Sequence, residues 1–368
     1  MKNSGYRSCL LWLVVWGCLC AQSCNSRKNS ETPEMELPAW LTEERVTSQS
    51  ESPDQPANDS SSAEFRLNLT PGDQFPLRKI VQQELVQGDV SGAPTRNFSQ
   101  LELMMAITVL DKQMERTKLG VRYSRVKYMH DIADEHVEFD SAVPETSHFV
   151  GVQAYRDMVN DGFAFWIGTD NQIVEVEGLA EFVNRCLRNI PAEKRQDVVL
   201  GIEAGSGESG IANFVDNTIG LLPYGKRTSL GDSWERQQQI GRPVPMHISN
   251  TYTLKELTHG LAVIDIRGSI SPSTNLNPAQ GKNSVNVTVN GGSTLGSCTI
   301  FRETGLPKES RVDRIVEMTV VMDNSISFRQ TKRVTTQVES FPSTNTKPEI
   351  AALPGSGTSP QAHSPTAR

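Results

Sequence analysis

The sequence predicts a mainly β protein of the α+β class, a curved antiparallel sheet or half-barrel carrying a helical insert. Three observations predict it. Apolar residues recur at every second position through most of residues 64–342, with short polar turns between the runs. Helical spacing dominates in one place only, Leu179 to Ile190. The flanks, residues 25–63 and 343–368, are rich in Ser, Pro, Thr, Glu, Asp and Gly, and bury too little apolar surface to fold.

The elements follow in order. Phe65, Leu67 and Leu69 alternate with Arg66 and Asn68, and Pro71-Gly72-Asp73 turns the chain. Leu77 to Val86 and Leu101 to Leu110 read as strands. So does Val121 to Tyr128, with cationic and aromatic side chains on both faces. Phe163-Ala164-Phe165-Trp166-Ile167 is the densest apolar run, either a central strand buried on both sides or the wall of a cavity. Leu179, Phe182, Val183, Cys186, Leu187 and Ile190 then fall on one helical face, and Pro191 stops the helix. Residues 192–200 and 209–219 add one or two short helices. Val285, Val287 and Val289 alternate with polar residues. Val312, Val316, Met318 and Val320 share a face that Arg314 interrupts. Ile326 and Phe328 open the last strand, which continues through Val334, Thr336 and Val338. Period-two patterning with short turns means antiparallel pairing.

A faint echo divides the body. Gly72-Asp73-Gln74-Phe75 opens the first β region and Gly231-Asp232-Ser233-Trp234 the second. A later strand pair in each is joined by a tight turn, Gly168-Thr169-Asp170-Asn171 and Glu303-Thr304-Gly305-Leu306-Pro307. The expected organisation is residues 64–177, a helical insert 178–230, and residues 231–342, with two similar β-meander halves.

The N-terminus carries an address. Lys2 and Arg7 precede an apolar run from Leu10 to Ala21, and Ala21-Gln22-Ser23 ends it before Cys24. That order is an export signal, residues 1–23, too short to span a bilayer of about 30 Å. The segment resembles a bacterial lipoprotein signal, with Cys24 as the lipid attachment site. It departs from the usual motif at Ala21, where a bulky aliphatic is expected; Val15-Trp16-Gly17-Cys18 fits that place better but shortens the apolar run. Plain secretion after the same cut is the alternative. Residues 24–63 then form a tether, in which Met35 to Leu41, with Trp40, is an apolar island for docking or an incidental stretch.

Removing residues 1–23 takes away Lys2 and Arg7 and no acid, moving the net charge from −7 to −9. An acidic exported body without basic, aromatic-laced blocks argues against nucleic acid as partner. Of six cysteines, Cys9, Cys18 and Cys20 lie in the signal. Cys186 and Cys298 form one disulfide or remain two buried thiols.

Chemistry-bearing motifs are sparse. Gly205-x-Gly207-x-x-Gly210 matches the dinucleotide fingerprint, but its surroundings lack the parallel βαβ unit that brings a helix N-terminus to a pyrophosphate, so it reads as a hinge. His130, Asp134 and His136 crowd together and would ligate a divalent ion if a strand-turn-strand brought them round it; a solvated hairpin has the same composition. No Gly-x-Ser-x-Gly elbow accompanies the six histidines. No cofactor is expected.

Several segments together resemble an uncharacterised family of bacterial envelope proteins, many of them lipoproteins, known only as a domain of unknown function. They are Phe65 to Phe75, Val137 to Ser141, Trp166-Ile167-Gly168 with Val174 to Gly178, Leu221-Leu222-Pro223, Gly231 to Trp234 and Thr304 to Pro307. The resemblance spans residues 64–342 and implies the envelope address but no activity. The organisation is also similar to curved half-barrels that carry lipids or lipoproteins between membranes, which is likeness of fold and not of function.

The expectation is an envelope-tethered, non-enzymatic binding protein, with a membrane reached through the lipid anchor. It would hold an apolar ligand or lipidated partner between sheet and helix, lined by Phe163, Phe165, Trp166, Ile167, Leu179 and Phe182. The alternative is a structural scaffold engaging another envelope protein, and the third reading is a metal-dependent hydrolase at His130 to His136.

Overall fold

The alternating segments pair into one long antiparallel sheet. The computed structural model describes residues 62–341 apart from 89–93, 133–134, 145–148, 196–197, 199–214, 216, 224–225, 241–243, 274–284 and 323–325. The strands of the first part are β1 (Ser62–Glu64), β2 (Gln74–Gln87), β3 (Thr95–Lys112), β4 (Arg116–Ile132), β5 (Glu135–Asp140), β6 (Gly162–Gly168) and β7 (Ile173–Glu177). Those of the second are β8 (Arg227–Ser229), β9 (Ser233–Ile240), β10 (Met246–Leu257), β11 (Leu261–Pro272), β12 (Val285–Phe301), β13 (Pro307–Met322) and β14 (Ile326–Ser340). Two helices of eight residues, α1 (Val150–Asp157) and α2 (Leu179–Cys186), join them.

The strand order is β7-β6-β4-β3-β2-β14-β13-β12-β11-β10-β9, with β5 also on β4 and the short pair β1-β8 apart. Neighbours in space are therefore neighbours in sequence, except that β6 pairs with β4 past β5 and that β2 and β14 meet in the middle. The sheet is an up-and-down meander whose ends have joined and whose opening has moved inward. Its two edges, β7 and β9, are the strands that flank the helical insert. One edge of β4 serves two partners: Arg116 to Arg122 pair with β6, and Lys127 to Ile132 with β5.

The two halves repeat each other in detail. Gly72 and Gly231 both have positive φ, +94° and +89°, where a Cβ would strain the backbone. In the first turn Asp73 N donates to Thr70 O at 3.0 Å, and Thr70 N to the Asp73 carboxylate at 2.8 Å. In the second, Asp232 N donates to Ser229 O at 3.0 Å, and Ser229 N to the Asp232 carboxylate at 2.7 Å. Each glycine N–H then reaches a strand carbonyl at 2.8 Å, Val109 and Leu254 respectively. Two pairs of bulges recur too, between Val109 and Asp111 against between Leu254 and Glu256, and between Trp166 and Ile167 against between Thr299 and Ile300, while those at Met104/Met105 and Val289/Gly291 have no counterpart.

One face of the sheet, here called inner, carries the core. On β2, β3 and β4 it presents Leu77, Leu103, Met105, Val121 and Tyr123, and a bulge at Ser124 keeps Val126 and Tyr128 on the same side. The helices lie on this face, with Val152, Tyr155, Phe182 and Cys186 in the same cluster. A second cluster joins Phe65, Leu221 and Leu222 to Tyr252, Leu254, Ile264, Cys298 and Val312.

Some elements differ from expectation. Residues 65–69 form no sheet strand, because their polar groups bond elsewhere: Asn68 N donates to Thr304 O at 3.0 Å, and Lys112 Nζ to Leu69 O at 2.8 Å. The segment instead drops Phe65 into one cluster and Leu69 into another. Helix α2 ends at Cys186, and Leu187 and Ile190 enter the core from the turn that follows. Helix α1 was not foreseen. Of the expected short helices, residues 192–194 and 219–221 form 3-10 turns and Arg195, Val198 and Val215 are helical; the remainder of 192–200 and most of 209–216 lie outside the described residues. Cys186 and Cys298 are free and buried in separate clusters, and burial pushes both thiols up to about 12.

Candidate polar row and inner-face cavity

Successive pairing registers place ten residues in one row across the inner face. The row runs Arg236, Asn250, Gly268, Thr294, Arg314, Val334, Gln83, Ser99, His130 and Val137. Seven of the ten are polar, which is unusual for a face that is otherwise core. The row divides two apolar clusters of the second half. Tyr252, Ile266 and Val312 lie on one side, and Ile248, Ile270, Val316 and Met318 on the other.

The row is buried and only partly satisfied. Asn250 is 5% exposed, Thr294 0% and His130 2%. Among the described residues, Asn250 Oδ1, Thr294 Oγ1 and His130 Nε2 have no hydrogen-bond partner. Each such group costs about 1–3 kcal/mol if left so. Other atoms of the row are engaged: the Asn250 amide donates to Tyr252 Oη at 3.4 Å, and Arg236 to Leu222 O at 2.7 Å. Tyr128 Oη lies 3.0 Å from His130 Nδ1, and Phe149 stands edge-on to the imidazole at 5.0 Å. Burial lowers the pKa of His130 and raises that of Tyr128, so the ring is held neutral and the phenol protonated.

One row further along, Lys332 opposes Leu85, and Leu85 opposes Asn97. Between these rows lies a cavity of about 40 Å³, lined by Gln83, Leu85, Asn97, Ser99, Tyr128 and Lys332. Burial lowers the pKa of Lys332 and brings that of Lys79, also on the inner face, down to about 8. Among the described strand residues, Lys79, Lys112, Arg236, Arg314 and Lys332 face inward, as does the carboxylate of Glu135.

The residues expected to line a pocket divide between the faces. Phe163, Phe165 and Ile167 point inward from β6. Phe182 lies 5.5 Å from Phe163 and 5.7 Å from Tyr123, and Leu179 packs at the margin of the cluster. Trp166 faces the other way. Arg116 sits 4.1 Å above its ring, and its indole N–H donates to Glu177. The β4-β5 register likewise separates the imidazoles. His130 opposes Val137 on the inner face, whereas His136 opposes Asp131 on the outer face and bonds to it. Glu135 comes to 3.9 Å from His130. Cys24, Trp40, Asp134 and the Gly205-Gly210 motif lie outside the described residues.

Asn250, Thr294, Lys332 and Ser99 were not singled out from the sequence. Asn250 is a polar residue on an apolar stripe, between Ile248 and Tyr252, whereas Thr294, Lys332 and Ser99 have a glycine or another polar residue beside them on their own stripes. Arg314 gave the same signal as an interruption.

Comparison with known proteins adds the following. Residues 115–307 match the family described as a family of unknown function, DUF6263. That span is narrower than the 64–342 over which the resemblance was drawn. No curated protein matches the chain. Among solved structures the chain is similar to lipovitellin, in a study of its lipid–protein interactions, with TM-score 0.37 and 13% identity over 75% of this chain. It spans only 26% of the lipovitellin chain. An outer membrane channel from Pseudomonas putida F1 gives 0.19 and 8%, over 78% of this chain and 100% of that one. A LolA superfamily protein from Nitrosomonas europaea gives 0.12 and 7%, over 73% and 87%. At these scores none of the three bears on function.

Proposed function

We propose that this chain, which belongs to the DUF6263 family of unknown function, is a non-enzymatic binding protein tethered in the cell envelope. It holds an apolar ligand, or the lipid of a lipidated partner, on the inner face of its open sheet. The observation that carries this reading is the polar row, with buried groups on Asn250, Thr294 and His130 that lack partners. The three fall in one row, and a binding surface keeps such groups for the polar end of what it binds.

The envelope address rests on Lys2, Arg7, the Leu10 to Ala21 run and Cys24. Two acyl chains on Cys24, at about 0.8 kcal/mol per buried methylene, would hold the body at a membrane. Palmitate labelling should be lost in Cys24→Ser; labelling that persists there removes the anchor.

The deciding experiment is mass spectrometry of the protein from its native envelope, under native and then denaturing conditions. A stoichiometric apolar molecule released on denaturation is the expected result. An empty, well-folded protein would favour a scaffold that engages another envelope component.

A further inference from the structure

We infer that the ligand is an anionic amphiphile, a single apolar chain ending in a carboxylate or phosphate, whose head sits in the cavity beside Lys332, Asn97 and Ser99. This rests on the binding reading above and adds the ligand's charge and the place of its head. The cavity of about 40 Å³ suits a head group or a few waters and not an acyl chain, since one water needs roughly 10–15 Å³. Its lining offers donors: the Lys332 ammonium, the Ser99 hydroxyl and the Gln83 amide.

The charge balance points the same way. Lys332 has no ion-pair partner among the described residues. Glu84, the one acid at the cavity wall, alternates to the outer face and pairs there with Arg96. A desolvated cation without a counter-ion is costly, and an incoming anion removes that cost. His130 adds a second, independent observation. It opposes Ser99 in the adjoining row, is 2% exposed, and its Nε2, 3.9 Å from a Glu135 carboxylate oxygen, makes no hydrogen bond. When the Tyr128 phenol donates to Nδ1, the imidazole hydrogen sits on Nε2 and needs an acceptor.

The test uses the full chain carrying Cys24→Ser, stripped of co-purified lipid. Oleate, 1-oleoyl lysophosphatidate, monoolein and inorganic phosphate are titrated below micelle-forming concentrations and followed by native mass spectrometry. Oleate or the lysophosphatidate should bind at least tenfold more tightly than monoolein, which has the same chain and no charge. Lys332→Gln should cut that preference about tenfold and leave monoolein binding unchanged, and Lys332→Arg should restore it. Equal binding of charged and uncharged lipids would overturn the anionic head while leaving the apolar-ligand reading intact. Phosphate binding as tightly as the lipids would overturn the amphiphile in favour of a free anion. No binding of any lipid would overturn both readings.

Discussion

The hydroxyl of Tyr128 lies 3.0 Å from Nδ1 of His130, so two residues of one strand, on the same face, lock each other's orientation. Tyr128→Phe keeps the packing against Tyr155, whose ring lies 4.9 Å away, and strands a buried imidazole nitrogen. The expected loss is about 1–2 kcal/mol, measured as a shift in urea midpoint. Because burial lowers the pKa of His130, the unfolded chain binds its proton first as pH falls below about 6.5. The stability supplied by the neutral ring is therefore full above pH 6.5 and declines below it. His130→Gln should flatten that part of the acid limb; an unchanged limb would show that His130 does not set it.

Phe182 pins α2 to the sheet, lying stacked on Tyr123 at 5.7 Å and fully buried. Phe182→Ala should cost about 3–5 kcal/mol, the range for emptying a packed aromatic site. Hydrogen exchange should show the loss concentrated in α2 and β6. A loss under about 1 kcal/mol would mean that α2 contributes little to the core.

These two sites show what a sequence reading can and cannot reach. The strands were legible because one stripe faces a core, as Val285, Val287 and Val289 announced. The helix pattern from Leu179 was legible for its face but not its end, since Leu187 and Ile190 stay buried after the helix has stopped at Cys186. Helix α1 went unread although Val152, Tyr155 and Met158 are buried at a spacing of three. Trp166 was grouped with Phe165 because both are apolar, yet alternation turns it toward Arg116. The polar row was out of reach. It exists only once nine pairing registers are known, and no local pattern carries those.

Lys79 supplies a prediction with a defined pH window. Its pKa falls to about 8 on burial, against 10.5 for the ordinary side chain. Between those values the unfolded chain keeps the proton and the folded one sheds it, so stability rises with pH across the window. At pH 7 the buried charge costs on the order of 3 kcal/mol, at about 1.4 kcal/mol per pKa unit. Lys79→Met should be more stable than the parent at pH 7 by about 1–3 kcal/mol, and the gap should close by about pH 10.5. Urea midpoints at the two pH values measure it; a constant gap would rule out the buried charge as the cause.

The duplicated turns make a paired prediction. Gly72 and Gly231 share the same φ region and the same four-bond frame. Gly72→Ala and Gly231→Ala should each cost about 1–2 kcal/mol, the penalty for a Cβ at positive φ. Open space around both Cβ positions leaves backbone strain as the cause. Thermal melts showing one substitution costly and the other neutral would separate the two turns in spite of their geometry.

The seam between β2 and β14 has a mechanical meaning. The strands run antiparallel from Leu77 opposite Ser340 to Gln87 opposite Gln330, and Phe341 N closes on Pro76 O at 3.0 Å. The start of one strand and the finish of the other thus lie side by side. Tension between Gln74 and Ser340 would part the strands from that shared end, so the hydrogen bonds would yield one after another instead of resisting together. Held at one terminus and pulled at the other, the sheet would peel apart at its own midline.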